Sequence, residues 1–324
     1  LVKLTNSMCP ECYRIVPAAI VEKNGVIWMD KNCPEHGRYG AMVERDAFWY
    51  HVCNNLNCNN IYDGYIIDVT GKCNIKCKYC YTHGGIKNDI PKKDIIADAE
   101  AHKNIAPFIL MGGEPTLHND LPEIYKSLSD MAPTSIITNG IKMCDEAYLD
   151  ELCENGLVSD KGILKIGLSF HAEANGKDIE LLELCRKKRL RVMTTLYVID
   201  DITQINEALS LARQYSDIVG DVRIKAASNL WTETGANNKI FVSDMINYFK
   251  AMGKTFLDPF LYNKLSYANI VFDGLMIKLI SWYDVNNVDL YDIDCPPYNK
   301  AKDGNLYNLV TAALVNAGIE KKER

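Results

Sequence analysis

No run of this 324-residue sequence is apolar for long enough to cross a bilayer as a helix. Its first residues, LVKLTNSMCPEC, lack the apolar core of a secretory leader. It has no basic surplus. Its 36 Lys and Arg against 42 Asp and Glu leave a net charge of -6. That gives no support for a broad nucleic-acid footprint, which shows as a basic face. No repeat and no low-complexity tract is visible. These absences point to a globular, cytoplasmic chain, and 48% hydrophobic residues are enough for a substantial core. Cysteine is not scarce. Twelve in a chain of this character suggest metal ligation in a reducing compartment and not a disulfide scaffold.

The cysteines fall into groups. Cys9-Pro-Glu-Cys12 and Cys33-Pro-Glu-His36 are paired knuckles around a piece with strand character, Ile15 to Met29. Asn24-Gly25 marks a hairpin turn there. Three cysteines and one histidine suit a tetrahedral zinc or iron site, which would supply folding free energy to so small a unit. Spacing alone leaves a second ligand set open, in which Cys53 or Cys58 replaces His36 in an all-cysteine, rubredoxin-like site.

The central group is IIDVTGKCNIKCKYCYTHGG, residues 66–85. Cys73, Cys77 and Cys80 make a C-x3-C-x2-C pattern directly after a strand-like run. Three thiolates can hold three irons of a [4Fe-4S] cluster and leave the fourth iron open. A zinc knuckle is the plainer alternative for the thiols taken alone. The loop Met111-Gly-Gly-Glu-Pro115 follows at the end of the next strand. Its glycines, Gly112 and Gly113, let the backbone approach a ligand closely, and the Glu114 carboxylate can accept from an ammonium group.

From residue 64 onward strand and helix alternate. Strand-like runs are 64–69, 108–111, 135–138, 164–170, 191–197 and 222–226. Leu121, Ile124, Tyr125 and Leu128 mark one helical face; Ile205, Ala208, Leu209 and Ala212 mark another. Asp145 can cap a helix that Asn155-Gly156 ends. Six such units in series imply an α/β fold with a parallel sheet. Beyond them, Asp273-Gly274 predicts a hairpin within 268–282, residues 294–297 a turn, and 306–317 a closing helix. Cys144, Cys153 and Cys185 fall in helical stretches and read as core or near-core thiols.

The three-cysteine spacing, the aromatic residue before Cys80 and the GGEP loop together resemble the radical S-adenosylmethionine (SAM) enzymes. The resemblance implies a partial (β/α)6 TIM-like barrel over residues 61–240. An N-terminal zinc-ribbon or rubredoxin-like unit would occupy 1–60. A hairpin-plus-helix extension covering the substrate would occupy 241–324. It implies that SAM completes the cluster, is cleaved reductively, and yields a 5′-deoxyadenosyl radical that takes hydrogen from the substrate. Tyr79 would then lie near the adenine, with Tyr81 beside it, and Glu114 would accept the SAM ammonium. Thr138 and Asn139, in the run Ile136–Gly140, would border SAM at a strand end. Ser169 is a candidate ribose contact. His171 is a substrate or acid-base residue, or a plain loop histidine. Arg223 and Lys225 share a strand face and could meet the SAM carboxylate or an anionic substrate, or form a surface ion pair. A reduced flavodoxin- or ferredoxin-like donor would supply electrons.

The order CPEC, CPEHG, RDAFWY, the cysteine motif, GGEPTLHNDLPEI and TNGI is similar to one branch. That branch includes archaeal tetraether-lipid synthases and pterin C-methyltransferases. A small molecule or lipid is therefore the implied substrate, for C–C bond formation, methylation or rearrangement. Three features depart from the branch. TGKC stands where Asn-Arg is usual, SFHAEANG replaces SFDG, and the region after 240 is short. A peptide or nucleic-acid modifier is the second reading, and a scaffold that keeps its cluster without SAM cleavage is the third.

Overall fold

A computed structural model describes residues 1–12, 14–55, 64–78, 80, 88–227, 240–253 and 267–280. The chain divides into two compact units. One comprises Leu1–Ile61, Ile199–Ile205 and Lys225–Arg324; the other comprises Tyr62–Val198 and Asn206–Ile224.

The chain begins with an antiparallel sheet of β1 (Lys3–Met8), β2 (Ile15–Lys23), β3 (Val26–Cys33) and β4 (Gly37–Glu44), paired in sequence order. Asn24 and Gly25 both take positive φ, 53° and 75°, as a two-residue hairpin turn needs. Strict alternation on β2 and β3 buries Ala18, Ile20, Ile27 and Met29 on one face. Helix α1 (Ala47–Asn55) adds Ala47 and Tyr50 to that cluster.

The α/β region runs β5 (Tyr65–Thr70), α2 (Lys92–His102), β6 (Phe108–Gly112), α3 (Leu121–Ser129), β7 (Thr134–Thr138), α4 (Glu146–Leu152), β8 (Ile163–Phe170), α5 (Lys177–Lys187), β9 (Arg191–Ile199), α6 (Ile205–Gln214) and β10 (Val219–Ala226). The six strands lie side by side in sequence order, and the pairs from β5 to β9 are parallel. This is the strand order of a partial (β/α)6 barrel. Every strand falls on a run that the sequence marks. Both helical faces are buried as their spacing predicts: Leu121, Ile124, Tyr125 and Leu128 on α3, and Ile205, Ala208, Leu209 and Ala212 on α6. Each large apolar side chain so buried contributes roughly 1.5–3 kcal/mol. Asp145 caps α4 by accepting from the N–H groups of Ala147 and Tyr148. Gly156, at φ 94°, ends the turn that follows. Cys185 is buried, while Cys144 and Cys153 are half-buried.

Helix α7 (Val242–Ala251) and the antiparallel hairpin of β11 (Tyr267–Phe272) and β12 (Leu275–Ile280) follow. Asp273 and Gly274 make its positive-φ turn, as the sequence predicts. The expected turn at 294–297 and helix at 306–317 lie outside the described residues.

Within the first unit, α7 is tied to the end of β4. The Ser243 hydroxyl donates to the Glu44 carboxylate, and Arg45 pairs with Asp244 at 2.9 Å. The Arg45 guanidinium also lies 5.4 Å from the centre of the Phe241 ring. Glu44 is 6% exposed. Burial pushes its carboxyl up to about 7, against the donors Ser243, Asp46 and Arg45. The folded state therefore binds this proton more tightly than the unfolded chain. The resulting stabilisation is complete below the ordinary carboxyl pKa and is lost as pH rises through about 7. The span corresponds to roughly 3 kcal/mol. Glu44→Gln should flatten the fall in Tm between pH 5 and pH 8, read by thermal melts at matched ionic strength. An equally steep fall in the variant would exclude Glu44 as its source.

Candidate active site

The two candidate metal-binding groups form differently. In the N-terminal sheet the knuckles converge. The thiols of Cys9, Cys12 and Cys33 and a ring nitrogen of His36 all lie within 4.8 Å of one another. His36 Nδ1 stands 3.7 Å from Cys9 Sγ and 3.5 Å from Cys33 Sγ. Its Nε2 lies 3.8 Å from Glu11, a carboxylate placed to hold the ring with Nδ1 toward the thiols. Burial would raise the Cys33 thiol. The backbone N–H of Glu35 and the His36 ring and N–H outweigh it and bring the thiol down to about 6. Three sulfurs and one nitrogen at these distances match a structural zinc set. The Cys58 alternative lies outside the described residues, as does the Cys53 side chain. Replacing Cys9 and Cys12 with serine should remove about one equivalent of metal and lower Tm, because such a site contributes folding energy directly. Unchanged metal content by elemental analysis would refute this.

The second group sits at the C-terminal end of β5. Its base is closed by backbone. Ile90 N donates to Val69 O at 2.9 Å and Gly71 N to Asn88 O at 3.3 Å. Asp89 accepts from the Thr70 hydroxyl at 2.6 Å and from Lys72 Nζ at 2.7 Å. Cys73, Cys77 and Cys80 leave this clamp in one loop, and a Cys80 N to Cys77 O bond of 3.2 Å tightens its far end. Burial raises the Cys73 thiol. It raises Cys77 to about 12, helped by the charges of Glu173 and the neighbouring thiols. Cys73 and Cys77 as free thiols therefore hold their protons, and metal binding must release them. Three soft donors in one clamped loop fit the three-iron attachment of a [4Fe-4S] cluster. Tyr79 and Tyr81 lie outside the described residues.

The GGEP loop does something the sequence did not suggest. Its glycines make room for protein backbone. A Cβ on Gly112 would lie 2.2 Å from Thr70 O, and one on Gly113 would lie 2.1 Å from Lys72 O. Gly113 N donates to Thr70 O and Glu114 N to Lys72 O, both at 2.7 Å. The loop is thereby sewn to the three residues that precede Cys73. Glu114 is 2% exposed and is a hub. Its Oε1 accepts from the Thr138 hydroxyl at 2.6 Å, the Thr116 hydroxyl at 2.7 Å and Thr116 N at 3.2 Å. Its Oε2 accepts from Asn139 N at 2.7 Å. Burial raises this carboxyl, and the four donors oppose it. Asn139 Nδ2 in turn donates to Asn74 Oδ1 at 2.8 Å, inside the cysteine loop. Thr138 and Asn139 thus join the ends of β6 and β7 to that loop.

Ser169 lies half-buried near the end of β8. His171 follows it, and its ring comes within 4.8 Å of both the Cys77 thiol and the Glu173 carboxylate. Glu173 also accepts from Lys78 N at 3.0 Å. Sequence reasoning missed this residue. Its signal was the departure SFHAEANG itself, which places a carboxylate just beyond β8. Arg223 and Lys225 alternate on β10 with the buried Val222, Ile224 and Ala226, as expected. Arg223 has an acidic neighbour, Asp221, at 4.0 Å.

A parallel α/β sheet with a three-cysteine loop sewn to a GGEP loop defines a class. Residues 67–209 match the model of the radical SAM superfamily, so the chain carries a radical SAM domain there. Residues 1–45 match the HMPTM N-terminal zinc ribbon domain. The chain is 32% identical over 191 residues to the 7,8-dihydro-6-hydroxymethylpterin dimethyltransferase of Methanocaldococcus jannaschii, covering 48% of this chain and 37% of that protein. It is 39% identical over 95 residues to a probable GTP 3′,8-cyclase of Archaeoglobus fulgidus, covering 28% and 31%. The chain thus spans about a third of the length of these curated relatives. Among solved structures, Streptococcus suis SuiB bound to precursor peptide SuiA aligns with a TM-score of 0.46 at 14% identity, over 76% of this chain and 69% of that one. Among the described residues, no helix is long and apolar enough to cross a membrane.

Proposed function

We propose that this chain binds a [4Fe-4S] cluster on Cys73, Cys77 and Cys80 and uses SAM to start radical chemistry on a small molecule with a 2-amino-4-oxopyrimidine ring. Pterins and guanine share that ring, and the names of the two relatives carry a pterin and GTP. The observation that supports the SAM part most directly is the seam between the two loops. Four protein bonds fix Glu114, and two more fix its loop against Thr70 and Lys72. When bound, the cluster supplies the electron that splits a C–S bond of SAM. The protein's part is to bind, orient and exclude water.

The residue roles are part of the proposal. Among the described residues Glu114 Oε2 has one protein donor, which leaves acceptor capacity for the SAM ammonium. Ser169 offers a hydroxyl to the ribose. Tyr79 serves the adenine, and Tyr81 also contributes to cofactor binding. His171 serves the substrate side. The electron donor is a low-potential flavodoxin- or ferredoxin-like protein, and the N-terminal metal is structural. Methylation, C–C bond formation and ring rearrangement are told apart by the product.

The test uses the full chain, reconstituted anaerobically and reduced with dithionite. It should convert SAM to 5′-deoxyadenosine. Addition of 6-hydroxymethyl-7,8-dihydropterin or GTP should raise that yield and give a product of changed mass. No cleavage with an intact cluster would remove the enzymatic reading. Cleavage indifferent to both ring compounds would remove the ring class alone.

A further inference from the structure

The face of the α/β sheet opposite the buried, helix-packed residues carries a group of polar atoms that make no hydrogen bond among the described residues. Thr194, on β9, is 0% exposed. Among the described residues its hydroxyl, Asp221 Oδ1 and Arg223 Nε are buried and make no hydrogen bond. Asp221 and Arg223 are two apart on β10, so they share a face. The neighbouring Thr195 hydroxyl donates to the Asp221 carbonyl at 3.4 Å, which sets β9 against β10 at this level. Gly167, on β8, fixes the side on which Thr194 stands. A Cβ there would meet Ile137 Cδ1 at 2.5 Å, Leu196 Cδ1 at 3.0 Å and Thr194 Cγ2 at 3.3 Å. This glycine therefore lies among the apolar ends of Ile137, Leu196 and Thr194, whose methyl group faces it.

Buried polar groups without partners are costly, and a native structure that keeps three together calls for a reason. The charge balance says what kind of group would satisfy them. Arg223 lies 4.0 Å from Asp221, so the pair carries no net charge. An anion would gain from the guanidinium and lose to the carboxylate. A neutral ligand with donors beside an acceptor would satisfy both. Apolar walls next to a few convergent polar groups are the usual make-up of a heterocycle site.

We propose that Asp221, Arg223 and Thr194 form the subsite that reads the pyrimidine edge of the substrate ring. Asp221 Oδ1 accepts from the edge that carries the N3–H and the 2-amino group. Arg223 Nε donates to the 4-oxo oxygen. The Thr194 hydroxyl completes the set, and Ile137 and Leu196 lie against the ring. This assignment rests on the ring class proposed above. It takes Arg223 away from the SAM carboxylate and gives it to the substrate.

The experiment is equilibrium binding to the full chain, reconstituted and saturated with SAM. The probes are 6-hydroxymethyl-7,8-dihydropterin, GTP and the 2-oxo counterpart of the pterin, which lacks the amino group. The unmodified chain should bind the pterin about tenfold or more tightly than its 2-oxo counterpart. Asp221→Asn should abolish that preference and weaken pterin binding about tenfold or more, with SAM affinity and cluster absorption unchanged. Thr194→Val gives a second reading that does not depend on the first variant folding. It should raise Tm by removing a buried orphan hydroxyl, yet weaken the pterin. A merely structural role would not move those two readouts in opposite senses. If the unmodified chain prefers the pterin and both variants bind it as tightly as before, the subsite is elsewhere and the ring class stands. If the unmodified chain binds neither the pterin nor GTP, the ring class falls and the subsite with it.

Discussion

Replacement of Cys73, Cys77 and Cys80 together with alanine is expected to abolish the [4Fe-4S] signal of this site and all reductive cleavage of SAM. The effect should be complete, because cubane irons are held by thiolates and the loop has no other sulfur among its described residues. The fold should survive. The clamp at the loop's base uses Val69, Thr70, Gly71, Lys72, Asn88, Asp89 and Ile90, none of which is altered. The N-terminal metal should also survive, since its four candidate ligands lie on the strands and turns of a separate sheet. Elemental analysis of the variant should therefore still find one metal, while anaerobic Mössbauer or EPR spectra lose the cluster. Spectra identical to those of the unmodified protein would place the cluster on other residues.

Glu114→Gln should act twice. The carboxylate accepts from two hydroxyls and two backbone N–H groups, and an amide has only one acceptor oxygen. If the amide nitrogen faces Asn139 N, two donors oppose each other. If it faces Thr116 and Thr138, their hydroxyls can rotate to accept, but Thr116 N is left without a partner. Either way one buried donor is unsatisfied, at a cost of roughly 1–3 kcal/mol. A lower Tm is the first expected result. The second is weaker SAM binding, on the order of tenfold or more, since a charge-assisted bond to the ammonium is lost. The cluster should remain. A lowered Tm with unchanged SAM affinity would confine Glu114 to joining β6 and β7. Unchanged values for both would remove the hub.

The periodic features were legible in the sequence, and the isolated polar ones were not. Alternation in β2 and β3, and the Leu121–Leu128 and Ile205–Ala212 faces, repeat a pattern that burial imposes on many residues at once. Asn24-Gly25 and Asp273-Gly274 were legible because few residue pairs take two positive φ angles in succession. The knuckle spacing marked Cys9, Cys12, Cys33 and His36, whose ligand atoms the fold gathers within 4.8 Å of one another. The glycines of the GGEP loop were noticed for close approach to a ligand, and the structure adds a close neighbour within the protein. That neighbour is the Thr70–Lys72 backbone, some forty residues earlier, and nothing local in GGEP names it. Glu173 and Asp221 were missed for a similar reason. A single carboxylate has no period, and its meaning depends on which strand end the fold brings beside it.

The clamp between residues 69–72 and 88–90 has a kinetic consequence. Thr70 and Asp89 are nineteen residues apart in sequence, and the cluster cysteines lie between them. Closing a free loop of that size costs about 2–3 kcal/mol of chain entropy, from (3/2)RT ln n. Here hydrogen bonds of the protein itself meet that cost, so cluster assembly starts from a closed ring of chain and not from an open one. Removal of the iron by chelation should then be a local event. The far-UV spectrum should stay constant through a cycle of stripping and anaerobic rebuilding, while the cluster absorption disappears and returns. Loosening the ring, as in Asp89→Ala, which removes the Thr70 and Lys72 side-chain bonds, should slow the return more than it lowers the final yield.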